Sequence, residues 1–324
     1  MNTLSAKVKE QGSSIPGFNG KDYWKNYMEE VFQPDLIEKW VEFVEHDWII
    51  SNEKRIHVEV YDTGDSKAPT LVFAHGMAGY ARLLLPFLIP LRERGYNIVA
   101  PDLQGYGYND GNKGEFEWNN HVQNMVDAAI YARNRFSGKI LLSGASMGGP
   151  IAYSAASRLE KVDALICWCL WDLNDREFII NETHTGKYSY HLIPLFKALS
   201  FLIGNVSINM NLLISYDTLC NSDRMQELLK NDPLAGNHIT LRGALSLILQ
   251  AKPSIPFHKF TIPTLIIQPG ADLMTPAKYS RKMYEQLGSE KKKYVELEGA
   301  EHFPSAKEFY MIWAEEVDIF CRQL

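Results

Sequence analysis

Ser146 stands at the centre of Gly144-Ala145-Ser146-Met147-Gly148, a G-x-S-x-G pattern whose chemistry is nucleophilic attack on a carbonyl. A short apolar run, Lys139 to Ser143, precedes it with strand character, and Gly149 to Leu159 continues it as a small-residue helical pattern. The expected strand, sharp turn and helix would hold the serine above a sheet edge in a strained backbone conformation. A serine hydroxyl is a weak nucleophile, so it needs a base, and the base needs a third group to orient it. His302 follows a predicted strand (Lys293 to Leu297) and a Gly-Ala turn, which makes it the candidate base among nine histidines. Asp272 follows the apolar strand Pro263 to Gln268 and is the favoured acid. Its rival is Asp172, read as the end of the strand Ala164 to Trp171. Acyl chemistry also needs two backbone N–H groups aimed at the developing oxyanion. Met147, directly after the serine, should supply one. Met77, in the His75-Gly76-Met77-Ala78-Gly79 loop after the strand Pro69 to Ala74, is the best placed second donor, with Ala78 next. His75 is expected to order that loop and not to act as a second base.

The elements that must position these groups are largely near-continuous apolar runs, as in a parallel sheet covered by helices on both faces. His46 to Ile50 and Ile56 to Val60 suggest an initial antiparallel pair. The strand Tyr96 to Ala100 runs into Asp102-Leu103-Gln104-Gly105-Tyr106-Gly107. In chain order the motifs are H-G-x-x-G, D-x-x-G-x-G, G-x-S-x-G, a late Asp and a late His. This set resembles the α/β-hydrolase superfamily, and with Asp232-Pro233-Leu234 it is most similar to monoacylglycerol-lipase-like esterases. The resemblance covers roughly residues 46–324 and is weakest between Asp172 and Ile255. Gln104 and Tyr108-Asn109 depart from the usual loop residues, which touches loop architecture and not the serine, acid or histidine. The resemblance implies an α/β fold with a mostly parallel central sheet flanked by helices. It divides the chain into an N-terminal helical extension (1–45), a core (46–171 and 256–324) and an inserted helical lid (172–255).

The bulk properties are those of one sizeable globular unit: 324 residues, 46% hydrophobic, 22% charged. A net charge of −6 argues against nucleic acid or an anionic membrane as the main partner. Residues 1–20 lack the apolar core of a secretory signal, and no run approaches the ~18 apolar residues of a membrane span. A cytoplasmic location is expected. Cys167, Cys169, Cys220 and Cys321 offer no disulfide framework and are read as reduced and structural, the first two alternating on one strand. With no phosphate loop and no metal-ligand spacing, neither a cofactor nor a metal is expected.

Two segments carry the specificity question. His191 to Ile203 and Val206 to Ile214 are dense in apolar residues. They could face the serine as an acyl-chain pocket, or pack against the core or a partner chain. Asp22 to Phe32 and Leu36 to Val44 read as amphipathic helices with aromatic faces, suited to packing on the lid or to a homodimer contact. The leading functional reading is hydrolysis of a carboxylic ester of an apolar acyl group, monoacylglycerol-like, through an acyl-enzyme. Alternatives are a metal-independent lactonase opening N-acyl homoserine lactones, as in quorum quenching, and a non-enzymatic ligand receptor on the same scaffold. Dehalogenase and epoxide hydrolase chemistry would need a carboxylate at position 146 and is disfavoured.

Overall fold

Strands in which every residue is buried form the middle of an eight-stranded sheet. The computed structural model describes residues 23–182, 191, 193–195, 197–198, 202–212 and 215–324. In chain order the sheet strands are β1 (Val44–Ser51), β2 (Lys54–Tyr61), β3 (Thr70–Ala74), β4 (Asn97–Pro101), β5 (Ile140–Ala145) and β6 (Ala164–Trp168). A separate antiparallel pair, β7 (Ser207–Asn209) and β8 (His238–Thr240), precedes β9 (Thr264–Pro269) and β10 (Lys292–Leu297). The sheet order is β1-β2-β4-β3-β5-β6-β9-β10. The pairings β1–β2 and β2–β4 are antiparallel and the others parallel, as expected for a mostly parallel sheet.

The period-2 alternation of strand side chains divides the core into two layers. Leu71, Phe73, Leu141, Ile166, Leu265 and Ile267 face one side, with the helices Leu85–Glu93 (α3) and Lys307–Cys321 (α10). Val72, Ala74, Leu142, Leu165, Cys167 and Ile266 face the other, with Trp118–Arg135 (α4), Gly148–Ala156 (α5) and Ala277–Gln286 (α9). Crossovers of this kind direct the strand C-termini to one edge, where ligands bind in open α/β sheets.

The sequence reading is corrected at β6. That strand ends at Trp168, not Trp171, because Cys169 adopts φ 59° and turns the chain out of the sheet. Asp172 therefore lies four residues past the strand, and Cys167 and Cys169 do not share a strand face. All four cysteines are unpaired and buried.

Among the described residues of the extension, two segments are helical, α1 (Tyr23–Glu30) and α2 (Asp35–Phe43). Their aromatic faces are buried within the chain itself: Trp24, Tyr27, Met28 and Trp40 have no exposed surface. Trp40 Nε1 donates to Glu59 at 3.1 Å, and Glu59 forms a fully buried ion pair with Arg82. The Arg82 guanidinium lies 4.5 Å from the Trp40 ring and 4.2 Å from that of Tyr108. Removing one partner of such a pair strands the other charge in an apolar setting. Glu59→Gln is thus expected to lower unfolding free energy by about 3–5 kcal/mol, read from a denaturant midpoint. A change near zero would mean that water reaches Arg82.

Between β6 and β9 the described elements include α6 (Arg176–Glu182), α7 (Asp223–Asn231) and α8 (Leu241–Leu249). The extension reaches this segment through Tyr27, whose hydroxyl donates to Asp232 at 3.0 Å; Tyr80 donates to the same oxygen at 2.9 Å. Of the two apolar runs expected there, residues 192, 196, 199–201 and 213–214 lie outside the described residues. Among those described, Leu195, Leu202, Val206 and Leu212 are exposed, so these four side chains do not pack on the core. No helix among the described residues is long and apolar enough to cross a membrane.

Candidate active site

β5 delivers its last residue, Ala145, to the sheet edge, and the chain then reverses into α5 through Ser146 at φ 55°. A non-glycine residue in the left-handed region costs of order 1–3 kcal/mol and marks a turn held by its surroundings. Those surroundings leave no room for side chains on the flanking glycines. A Cβ on Gly144 would lie 2.1 Å from the Gly148 carbonyl oxygen, and one on Gly148 would lie 2.2 Å from that of Ala74. The turn is further held by Ser146 N–H donating to the Trp168 carbonyl at 3.1 Å.

The three side chains singled out in the sequence converge here. His302 Nε2 lies 2.8 Å from Ser146 Oγ, and His302 Nδ1 lies 2.7 Å from Asp272 Oδ2. Asp272 Oδ1 accepts from the backbone N–H groups of Met274 (2.9 Å) and Thr275 (2.7 Å), which aims the other oxygen at the imidazole. His302 is fixed through its own backbone, whose carbonyl accepts from Trp168 Nε1 at 2.8 Å. Asp272 and His302 are buried, and Ser146 is partly exposed. Such an arrangement can lend the serine a base and hold that base in one tautomer.

Asp172 is not part of this cluster. Its carboxylate accepts from the Asn174 N–H at 2.8 Å, and burial pushes its pKa up against that bond. It borders a small apolar cavity with Trp118, Tyr153 and Phe257.

The His75–Gly79 loop lies beside the serine because position 76 is glycine. A Cβ there would meet Ser146 Cβ at 2.8 Å, closer than such atoms approach. Gly76→Ala is accordingly expected to push loop and serine apart and to cut activity with little loss of stability; an unchanged rate would place the loop outside the chemistry. His75 orders this loop, as expected. Its Nε2 accepts from the Leu103 N–H at 2.8 Å, and its Nδ1 donates to the Gly76 carbonyl at 2.7 Å. Burial lowers its pKa, which favours the neutral ring that this pair of bonds requires. The N–H groups of Met77 and Met147 have no protein acceptor among the described residues, whereas α5 begins directly after Met147 and points its N-terminal end at the site.

The profile of the serine aminopeptidase S33 family matches residues 65–304. The chain belongs to that family. Its hydrolase character agrees with the fold: Phospholipase YtpA of Bacillus subtilis is 24% identical over 245 residues, covering 74% of this chain and 89% of its own. A monoglyceride lipase from Saccharomyces cerevisiae superposes with a TM-score of 0.67 at 13% identity, covering 86% of this chain and 94% of that one. A thermostable carboxyl esterase from Bacillus coagulans superposes at 0.68 with 14% identity, covering 86% and 99%. This S33-family chain is an α/β hydrolase by fold.

Two buried features of the S33-family chain escaped the sequence reading. Cys169 lies against Asp272 and His302, with donor atoms of the three all within 4.8 Å of one another. A second Asp–His pair, Asp102 Oδ2 and His57 Nδ1 at 2.9 Å, is a loop anchor, since Asp102 also accepts from the Ala81 and Tyr108 N–H groups. Only long-range contacts reveal either, though the D-x-x-G-x-G motif marked Asp102: a Cβ on Gly107 would lie 2.3 Å from its carboxyl carbon.

His121 adds a pH dependence of stability. Its Nε2 donates to the Gln104 carbonyl at 2.8 Å, and burial pushes its pKa down to about 3. An unfolded chain takes up this proton near the ordinary value of 6.5, so the stabilisation is complete above that and is lost as pH falls toward about 3. His75 acts in the same direction. Asp232, raised by burial, acts oppositely: its contribution is present at low pH and fades as pH rises through its raised value. The denaturant midpoint should therefore fall from neutral pH to about pH 4, and less steeply in His121→Phe. An equal slope in both proteins would assign the acid sensitivity elsewhere.

Proposed function

We propose that this chain is a serine hydrolase cleaving a carboxylic ester of an apolar acyl group, monoacylglycerol-like, through an acyl-enzyme. The observation that carries this reading is the unbroken series from Ser146 Oγ to His302 Nε2 (2.8 Å) and from His302 Nδ1 to Asp272 Oδ2 (2.7 Å), at a serine held at φ 55°. His302 takes the Ser146 proton as Oγ attacks the ester carbonyl. The Met77 and Met147 N–H groups receive the oxyanion, and Asp272 stabilises the imidazolium. His302 then gives the proton to the leaving alcohol and activates the water that clears the acyl group. No residue of this scheme needs a cofactor or a metal. A lactone would follow the same steps with the leaving alcohol still attached to the acyl group.

The apolar acyl portion is supported by the exposed Leu195, Leu202, Val206 and Leu212, carried on the segment read as a lid (172–255). The four unpaired cysteines suit a reducing, cytoplasmic compartment. The direct experiment compares a long-chain monoacylglycerol with an N-acyl homoserine lactone of matched chain length, with Ser146→Ala as the control for each. Faster glycerol-ester cleavage is expected. Preference for the lactone would replace the ester reading with the lactonase one. Binding of either compound with equal affinity to wild type and Ser146→Ala, and no turnover by wild type, would make the chain a receptor.

A further inference from the structure

Register places a thiol where the triad can reach it. Ala145 on β5 pairs with Trp168 on β6, and Trp168 pairs with Ile267 on β9, so the three lie side by side at the C-terminal edge of the sheet. The next residues are Ser146 and Cys169, and β9 leads within a few residues to Asp272. Cys169 N–H donates to the Ile267 carbonyl at 3.0 Å, and its φ of 59° turns the residue out of the strand. Cys169 is thus fixed between the strand that carries the serine and the strand that leads to the acid, and is fully buried.

We propose that Cys169, Asp272 and His302 form an inhibitory site for a thiophilic divalent cation of the zinc or cadmium type. One sulfur, one oxygen and one nitrogen donor lie within 4.8 Å of one another. With bond lengths of about 2.3 Å for sulfur and about 2.0–2.2 Å for nitrogen and oxygen, ligands of one tetrahedral zinc lie about 3.3–3.6 Å apart. Filling the site therefore draws the sulfur inward and parts His302 Nδ1 from Asp272 Oδ2, now 2.7 Å apart. Charge favours the site. A thiolate and a carboxylate neutralise a divalent cation, and the neutral imidazole adds none, so the filled site carries no net charge into a buried place. Magnesium and calcium, which take six or more oxygen ligands, do not fit. On binding, the Cys169 thiol releases its proton to solvent while sulfur, carboxylate oxygen and imidazole nitrogen each donate an electron pair to the cation. The imidazole proton that faced Asp272 moves to the other ring nitrogen when Nδ1 coordinates, leaving His302 unable to accept from Ser146. Ser146, whose Oγ is 2.8 Å from His302 Nε2, is partly exposed, so solvent reaches the edge of the cluster.

The inhibitory effect rests on the triad reading above; cation binding does not, and the test separates them. Hydrolysis of a p-nitrophenyl ester is followed with zinc, cadmium, magnesium or calcium chloride added to wild type, Cys169→Ala and Cys169→Ser. Zinc and cadmium should inhibit wild type, chelator should restore it, and magnesium and calcium should have no effect. Both cysteine variants should keep basal activity and need at least about tenfold more zinc, since even outer partners of a metal site commonly matter that much. Binding is read independently by the ultraviolet thiolate-to-cadmium absorption, in wild type and in the turnover-deficient Ser146→Ala. The band should appear in both and be missing in Cys169→Ala. Inhibition of Cys169→Ala and Cys169→Ser at the wild-type zinc concentration would overturn the site, as would a cadmium band unchanged by loss of Cys169. A Ser146→Ala protein that binds cadmium but still hydrolyses the ester would refute the triad reading and leave the cation site standing.

Discussion

Ser146→Ala should lower kcat by a factor on the order of 10⁴ to 10⁶ while the protein stays folded. The size follows from what the hydroxyl does. In the proposed mechanism no acyl-enzyme forms without Oγ, and the remaining rate is what oxyanion donors and substrate positioning can draw from water. The fold should tolerate the change, because the strained turn is held by backbone contacts. These are Ser146 N–H to Trp168, Gly149 N–H to the Ser146 carbonyl, and the glycine-to-carbonyl approaches at positions 144 and 148. Alanine keeps all of them. The measurement is steady-state turnover of an ester beside the circular dichroism and melting temperature of both proteins. A folded variant that retains even a tenth of the wild-type rate would take the serine out of the chemistry.

Asp272→Asn is expected to cost about 10⁴ in kcat, whereas Asp172→Asn should stay close to wild type. At position 272 an amide can present N–H to His302 Nδ1 and so favour the tautomer that carries its proton on Nε2, the wrong nitrogen for accepting from Ser146. The backbone donors Met274 and Thr275 already engage Oδ1. They would hold the amide oxygen there and turn its NH2 group toward the histidine. Asp172 has no such partner: its carboxylate is bound locally by Asn174 N–H. Comparing kcat of the two variants on one ester settles the acid. Collapse of Asp172→Asn with normal Asp272→Asn would reverse the assignment.

The sheet was legible because burial on both faces writes a simple pattern: Thr70–Ala74, Asn97–Pro101 and Ile140–Ala145 are buried at every position and read as apolar runs. The convergence of Ser146, Asp272 and His302 was legible for a related reason. Each follows a strand, and parallel strands deliver the residues after them to one edge. What could not be read were features set by local backbone choice or by distant partners. Ala164 to Trp171 is uniformly apolar, so composition could not show that Cys169 would leave the sheet at φ 59°, carrying Asp172 away from the strand end and a thiol toward Asp272 and His302. The Glu59–Arg82 pair joins residues from β2 and the segment before α3 inside a cage supplied partly by α2, and no short-range pattern encodes such a meeting. The amphipathic extension was recognisable as helix. That its aromatic face would close over Arg82, with Tyr27 reaching Asp232 across 205 positions, needed the structure.

The most direct measurement is labelling of the native protein with a fluorophosphonate, followed by peptide mapping of the adduct. An activated serine paired with His302 predicts a single adduct per chain, on Ser146, lost in His302→Ala though the serine remains. An unlabelled protein, or an adduct on another residue, would contradict the account.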